Sequence, residues 1–388
     1  MEGICNPRPS LLEGICNPRP DLILFPMDIT QYRKVNETFR KRLVYHVGKD
    51  SGFFVELNYM LHAMLYCLDH RLQFQIYSED ANFGTGKGWT EYFLPFCPEV
   101  HEAFHRRYNF HRLPSWKRII KKTLRERSLR LVVWKLKSLL LTVIGRAKAF
   151  RAYGEYVLLG QDVATVPAQY YHVPELGIDG DYYHAYRTLA MMLWHLRPEI
   201  LEQEAAIRQS LHLPSRYAGI QIRGGDKDTE TPLISGETIV RTLLHHPTPI
   251  TQHPTPIFVL TDDIRLLQAV EAQFPQLRFV SLCRPDDRGY HHQAFCQTDP
   301  QQKKEAIIRL LISADILLGS HTFVGSITTG PSVFVMKVRA DDPAVIAVDC
   351  LKPQIKAALT LTIERRAAIS QRGFQVLYFL TYFLPFVI

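Results

Sequence analysis

From residue 216 to about residue 348 the chain repeats a short apolar run, a turn and a helical stretch. This periodicity limits its fold more than any other feature. The run 217–222 (YAGIQI) reads as a buried parallel strand, followed by Gly224, Gly225 and Asp226 and then by helical spacing over 237–244. The pattern next predicts a strand at 257–260, a helix at 264–274 and a strand at 277–282. A helix at 301–313 and a strand at 316–318 come after it, and 333–338 or 344–348 supplies another strand. Strand, turn and helix in repetition imply right-handed crossovers and a doubly wound parallel sheet, with ligands bound beyond the carboxyl ends of its strands.

The first half alternates less regularly. Residues 43–47 and 72–77 read as strands around a helix at 55–68, and 185–209 is an apolar-periodic helical stretch broken near Pro198. A length of 388 residues exceeds what one core usually holds. The expected architecture is therefore α/β, with two Rossmann-like lobes and a cleft between them. Its expected parts are a disordered leader at 1–37, an N-terminal α/β lobe at 38–205 and a C-terminal Rossmann-like lobe at 206–350, with a tail at 351–388. The leader carries a tandem duplication (EGICNPRP, twice), and HPTPI recurs in a Pro-rich loop before the strand at 257–260. Neither period is that of a solenoid.

Charge is concentrated in one place. Residues 115–151 hold 12 Lys or Arg against a single acid, Glu126, in a chain whose net charge is +8, so the remainder is mildly acidic. Interleaved with Leu, Val, Ile and Trp134, these cations make either an interfacial helix for anionic lipid or a helical insertion whose apolar face packs on the first lobe. Nucleic acid is a poorer partner, since no zinc spacing, RNP-type motif or recognition helix accompanies the cations. The apolar stretches 138–144 and 374–388 are both shorter than the roughly 18 residues a spanning helix needs. Seven Cys with no CxxC pair fit a reducing compartment. The expected location is cytoplasmic, with peripheral contact to an anionic membrane through 115–151.

Four clusters carry chemistry. The richest, GIQIRGGDKDTE, spans Gly219 to Glu230 and leaves its strand at the carboxyl edge. Arg223 brings a planar donor fork suited to phosphate oxygens, and Gly224 and Gly225 permit close backbone approach to a ligand. Asp226, Lys227 and Glu230 add two proton acceptors and a second cation; the plain alternative is a surface turn with solvated charges. Neither GxGxxG nor GxxxxGK[ST] is present, which excludes an ordinary dinucleotide site or P-loop. At the next strand end stand Asp262 and Asp263, suited to a divalent metal, a ribose or a base edge, with helix capping the commoner role for Asp263. Ser320, His321 and Thr322 are expected at the following strand end, with Ser326, Thr328 and Thr329, where hydroxyls and backbone N–H groups suit a pyrophosphate. In the first half, a loop with Asn82, Gly86, Gly88 and Trp89 follows a strand, and its glycines and aromatics suggest a loop shaped around something.

In order and spacing these clusters resemble the α1,6-fucosyltransferases, the family 23 glycosyltransferases that include core N-glycan and nodulation enzymes. Arg223, Asp226-Lys227 and Thr229-Glu230 are similar to that family's HVRRTDKxGTE motif, and Leu260–Asp263 with Leu266-Leu267 to its xTDDPxLL motif. LISADILL (311–318) resembles its LSxADxLV segment, and 82–93 its NWxxxxGGWxxxF. The resemblance covers roughly 41–339 without the basic segment. It implies a GT-B glycosyltransferase that moves L-fucose from GDP-fucose to a glycan with inversion. On that resemblance 38–205 is the acceptor-side lobe, with the loop of Asn82, Gly86, Gly88 and Trp89 on the acceptor side or in the cleft, and 206–350 is the nucleotide-sugar-binding lobe. Gln221 and Gly224 replace the family's motif histidine and second arginine, and Ile307 stands where it carries an acid. These replacements motivate the alternative, a degenerate non-catalytic GT-B scaffold that binds a nucleotide or glycan.

The reaction makes its own demands. Charge develops on the bridging oxygen as a nucleotide sugar is cleaved, and must be neutralised by a metal or by arginine and backbone donors. One Asp pair with no second carboxylate cluster points to the metal-free route with Arg223 as principal cation, Glu230 as base, and Lys227 and Asp226 tuning that base. Gln221, Gly224, Gly225, Asp262, Asp263, Ser320, Thr322 and Ser326 are then the nucleotide-sugar contacts. No metal and no cofactor beyond the donor is expected.

Overall fold

The structure, a computed structural model, describes residues 28–47, 51–108, 116–127, 129–153, 157–160, 170–225, 233–246 and 255–350. Of the leader expected to be disordered, residues 1–27 lie outside the described residues, but 28–37 are ordered as a capped helix and its end, so that expectation is corrected there. The tail at 351–388 and the candidates Asp226, Lys227 and Glu230 also lie outside the described residues.

After α1 (Ile29–Glu37), capped by the Asp28 carboxylate on the Thr30 N–H, come β1 (Lys41–His46), α2 (Phe53–Asp69) and β2 (Leu72–Tyr77). Helices α3 (Ala103–Tyr108), α4 (Trp116–Glu126) and α5 (Arg130–Tyr153) then precede β3 (Val157–Gly160). The three strands form a parallel sheet in the order β2-β1-β3. An antiparallel ribbon, β4 (Tyr171–Val173) and β5 (Ile178–Gly180), leads to α6 (Tyr182–Leu193) and α7 (Pro198–Ser210). The helical stretch thus breaks where Pro198 allows a new first turn but no continuation of the old one.

The second sheet is built from β6 (Ala218–Ile222), α8 (Gly236–His245), β7 (Ile257–Thr261), α9 (Ile264–Gln273), β8 (Phe279–Ser281), α10 (His292–Gln297), α11 (Pro300–Leu318), β9 (Thr322–Gly325), α12 (Gly330–Val338) and β10 (Val345–Ala347). All five strands are parallel, in the order β10-β9-β6-β7-β8. Period-two alternation divides its apolar side chains between two cores. Ile220, Ile257 and Val259 pack with α8 and α9, while Phe258 and Phe323 pack with α11 and α12 on the opposite face. Helices on both faces make this sheet doubly wound.

One expected strand is corrected. Residues 316–318 form no strand: the apolar run LISADILL continues α11, whose start is fixed by Asp299 as cap and Pro300 in the first turn. Leu311 to Leu318 are buried except Asp315, so this helix lacks the polar stripe that separates a helix from a strand in sequence. Of the two alternatives for the last strand, the structure takes 344–348, as β10 at 345–347, while 333–338 belong to α12.

One core runs from the first sheet to the second. Phe54 of α2, Trp194 and Phe334 of α12 pack together with tilted rings, their centroids 5.3 Å (Phe54–Phe334) and 4.7 Å (Trp194–Phe334) apart. Beside them the buried ammonium of Lys337 donates to Asn58 Oδ1 (2.7 Å) and the Tyr182 hydroxyl (3.1 Å), and lies 4.9 Å from the centroid of the Tyr186 ring. The pairing of an amide, a phenol and two ring faces offsets the cost of taking this cation out of water.

Candidate functional site at the switch point of the second sheet

The chain leaves β6 toward β7 and β8, then returns as β9 on the other side of β6. Connections after β6 and β9 therefore diverge at the carboxyl edge, the place where open parallel sheets leave room for a ligand. Arg223 to Gly225 follow β6 there, and Ser326 to Thr329 follow β9. The two are stitched together by Gln221. Its buried Oε1 accepts from the Thr329 hydroxyl (2.7 Å), the Ser332 N–H (2.9 Å) and the Ser332 hydroxyl. Thr329, the N-cap residue of α12, makes no side-chain cap bond, so Gln221 caps that helix from across the sheet.

Asp262 is the hub of the edge. Its Oδ1 accepts the Gly224 N–H (2.8 Å), its Oδ2 accepts the Tyr290 N–H (2.9 Å) and the Arg223 guanidinium, and its carbonyl accepts the Gly289 N–H (2.7 Å). Arg223 also lies over the Tyr290 ring, 5.2 Å from its centroid. The guanidinium expected to face a diphosphate thus has its charge compensated by Asp262, while 22% of its side chain stays open to solvent. Close approach at Gly225 is made by the protein itself. Its φ is +67°, and a Cβ there would run into the Tyr290 backbone, while a Cβ on Gly289 would stand 2.6 Å from Gly225 Cα. The expectation of glycines opened for a ligand gives way at this position to two loop backbones in contact.

Asp263 takes the capping role, accepting the Arg265 N–H (2.9 Å) and pairing with the Arg265 guanidinium (2.5 Å). The hydrogen bond from Arg265 holds its carboxyl below the usual carboxylate range. Ser320 and Thr322 are not at the carboxyl edge, because the strand begins at Thr322 rather than ending before it. Both are fully buried at the amino end, where Ser320 donates to Leu317 O (2.7 Å) and accepts from Arg339 (3.3 Å). Ser326 does reach the edge, bonded to Thr328 Oγ1 and to Asp349 Oδ2 (both 2.6 Å).

The loop after β2 is organised by a residue the sequence reading did not single out. Glu91 Oε1 accepts the N–H groups of Thr85, Gly86, Lys87 and Gly88 at 2.7–2.9 Å, and Oε2 accepts the Thr85 hydroxyl (2.7 Å). Successive N–H groups in such a nest bind anions, and here the anion is the protein's own carboxylate. Gly88 has φ +64° and a Cβ there would strike Ser78 O, so both its backbone and its surroundings require glycine. Trp89 is buried against Phe93 with ring centroids 4.2 Å apart, and Asn82 reaches Ser51 O at 3.5 Å. This loop and α7 line a groove of about 590 Å³ with Lys87, Arg197 and Lys304 on its wall. Helix α2 also touches α12 directly: a Cβ added to Gly330 would lie 3.0 Å from Phe54 Cβ, so the first turns of the two helices pack together.

Three site residues escaped sequence reading. Tyr290 and Asp349 lie in loops with no periodic signal, and only a glycine at 289 hinted at a close approach. Glu91 could have been found as the acid closing a Gly-rich turn. Among the described residues, no group of three or more His, Cys, Asp or Glu stands close enough to hold a metal ion.

No family profile and no curated protein matches this chain. Among solved structures, it is similar to the fucosyltransferase NodZ from Bradyrhizobium at 14% identity, covering 80% of this chain and 96% of that one with a TM-score of 0.47. It is also similar to a mutant of Arabidopsis thaliana FUT1 in complex with GDP (11% identity, 80% and 73% covered, TM-score 0.45). A third is POFUT1 in complex with GDP-fucose (10% identity, 79% and 97% covered, TM-score 0.42).

Proposed function

We propose that the protein is a glycosyltransferase that moves a sugar, L-fucose from GDP-fucose, onto a glycan acceptor by metal-independent inverting transfer. The observation that carries this reading is the meeting of two motif segments at one switch point. Arg223, Gly224 and Asp262 on one side and Ser326 to Thr329 on the other are brought to the carboxyl edge from positions far apart in the chain. Of these, Arg223 and Asp262 belong to the motifs that resemble the fucosyltransferases, and hydroxyls, backbone N–H groups and a guanidinium are what a departing diphosphate needs. In this reading the donor lies against the second sheet and the acceptor toward the loop carrying Asn82, Gly86, Gly88 and Trp89. Donor binding moves Arg223 from Asp262 to the diphosphate, and Glu230 takes the proton of the acceptor hydroxyl as the sugar–oxygen bond to the diphosphate breaks.

A second reading, a scaffold that has kept the architecture and lost turnover, has one specific observation in its favour. The groups offered to a diphosphate are already engaged: Arg223 and the Gly224 N–H by Asp262, Gln221 by α12, and the Ile327 N–H by Asp349 (3.0 Å). Incubation with GDP-, UDP- and dTDP-sugars, scored by released nucleotide with and without glycan acceptors, separates the two. The enzyme releases GDP from GDP-fucose; a scaffold binds a nucleotide and releases none.

A further inference from the structure

The sequence left open whether the apolar face of the basic segment packs inward or faces solvent. Among the described residues, eight of the twelve exposed large apolar side chains fall between Ile120 and Ile144. Leu124 is 74% exposed, Leu129 69%, Val133 61%, Leu136 55% and Leu140 61%. Helix α5 packs against α3, α4 and β3, so Val133, Leu136 and Leu140 belong to its opposite side. At 100° per residue Val133, Leu136, Leu140 and Ile144 form one stripe, and the exposed cations Lys137, Lys148 and Arg151 fall on the same face. On α4, Ile120 and Leu124 are four residues apart and outward, beside exposed Lys121 and Arg125.

We propose that this outward face of α4 and α5 is a docking surface for an anionic phospholipid membrane, with the leucine stripe entering the headgroup–acyl boundary and the flanking Lys and Arg meeting lipid phosphates. Charge complementarity decides the occupant. The stretch 115–151 carries 12 cations and one acid, and a bilayer interface accepts apolar and cationic groups side by side because long basic side chains reach up to the phosphates. A second copy of the chain would bring an equally cationic face against this one. The apolar stretch 374–388 contains no charged residue and so supplies no counter-charge to the lysines. A nucleic acid would satisfy the cations and leave the leucines in water. Among the described residues no helix is long and apolar enough to cross a membrane, so the contact lies in the interface plane. The surface is independent of the donor chemistry and would suit a lipid-linked or envelope-glycan acceptor.

Flotation of the full chain with vesicles tests this. Phosphatidylglycerol–phosphatidylcholine vesicles at about 0.1 M salt should carry at least about tenfold more protein than phosphatidylcholine alone, and about 1 M salt should release most of it. Leu136→Asp/Leu140→Asp should cut flotation about tenfold or more, as should Lys137→Glu/Lys148→Glu. Both variants keep their outward side chains away from the core, and circular dichroism and melting temperature report whether the fold survives. Absence of flotation with anionic vesicles overturns the proposal, and so does equal flotation with both vesicle types. Binding that the lysine variant loses and the leucine variant keeps points to a polyanion such as nucleic acid and overturns it too. Dimerisation abolished by the leucine variant, with no vesicle binding, would assign the face to a second copy. Vesicle binding that appears only after removal of 351–388 would assign it to the tail.

Discussion

The Arg223 guanidinium and the Asp262 carboxylate, 39 residues apart in the chain, form an ion pair at the carboxyl edge of the second sheet. The same carboxylate receives backbone N–H groups from Gly224 and Tyr290, so one acid both neutralises the candidate phosphate cation and holds the loops around it. Any diphosphate entering this edge competes with Asp262 for Arg223.

Removing that acid should loosen the edge. Asp262→Ala leaves a guanidinium and two N–H groups without their acceptor, and hydrogen bonds to charged groups contribute about 1.5–3 kcal/mol each when well formed. With a fifth of the carboxylate exposed, we expect a net loss of about 2–4 kcal/mol by denaturant unfolding, and about half that for Asp262→Asn. A change within experimental error for Asp262→Ala would show that the hub contributes nothing.

Gln221 makes a separate claim. It occupies the place of a motif histidine, yet its side chain is spent on capping α12. Gln221→Leu keeps the volume and removes the acceptor, leaving the Ser332 N–H and hydroxyl without their partner in a buried position. The expected cost is about 1–3 kcal/mol, read as a shift in the unfolding midpoint. Unchanged stability would mean that water or another group caps the helix.

Acid should weaken the first sheet. His105 is fully buried, its Nδ1 is 2.9 Å from His46 Nε2, and burial draws its pKa down to about 4, against an opposing pull from Glu102. Because the folded chain binds this proton less readily than the unfolded one, stability is present above the ordinary histidine range and is lost as pH falls from about 6.5 toward 4. We expect up to about 3 kcal/mol of loss across that window, and His105→Phe should flatten it. A wild-type profile without this slope would remove the assignment.

Much of this fold was legible because β6, β7 and α9 carry the alternation of apolar runs, turns and helices that any doubly wound sheet needs, and Asp263 stood where a helix cap belongs. The end of α11 was misread because its last two turns are buried nearly all round, which erases the helical period. That error moved Ser320 and Thr322 to the wrong end of a strand. Asp262 could be picked out as a strand-end acid, but its partners, 28 and 38 residues away, come from a tertiary contact between Gly225 and Gly289. No local pattern announces such a contact.

Turnover should depend on a carboxylate downstream of Arg223. Glu230→Gln removes the proposed base and keeps its size, so it should lower transfer from GDP-fucose about 10²–10⁴-fold while GDP affinity stays within about twofold. Normal turnover would place the base elsewhere.

The direct test of the central claim is calorimetric titration of GDP into the wild-type protein and into Arg223→Ala, with melting curves confirming that both are folded. Losing one charge-assisted contact to a diphosphate should weaken binding at least about tenfold. Equal affinity in the two proteins would contradict the account, because the diphosphate would then be held by something other than the guanidinium that Asp262 keeps at the edge of this sheet.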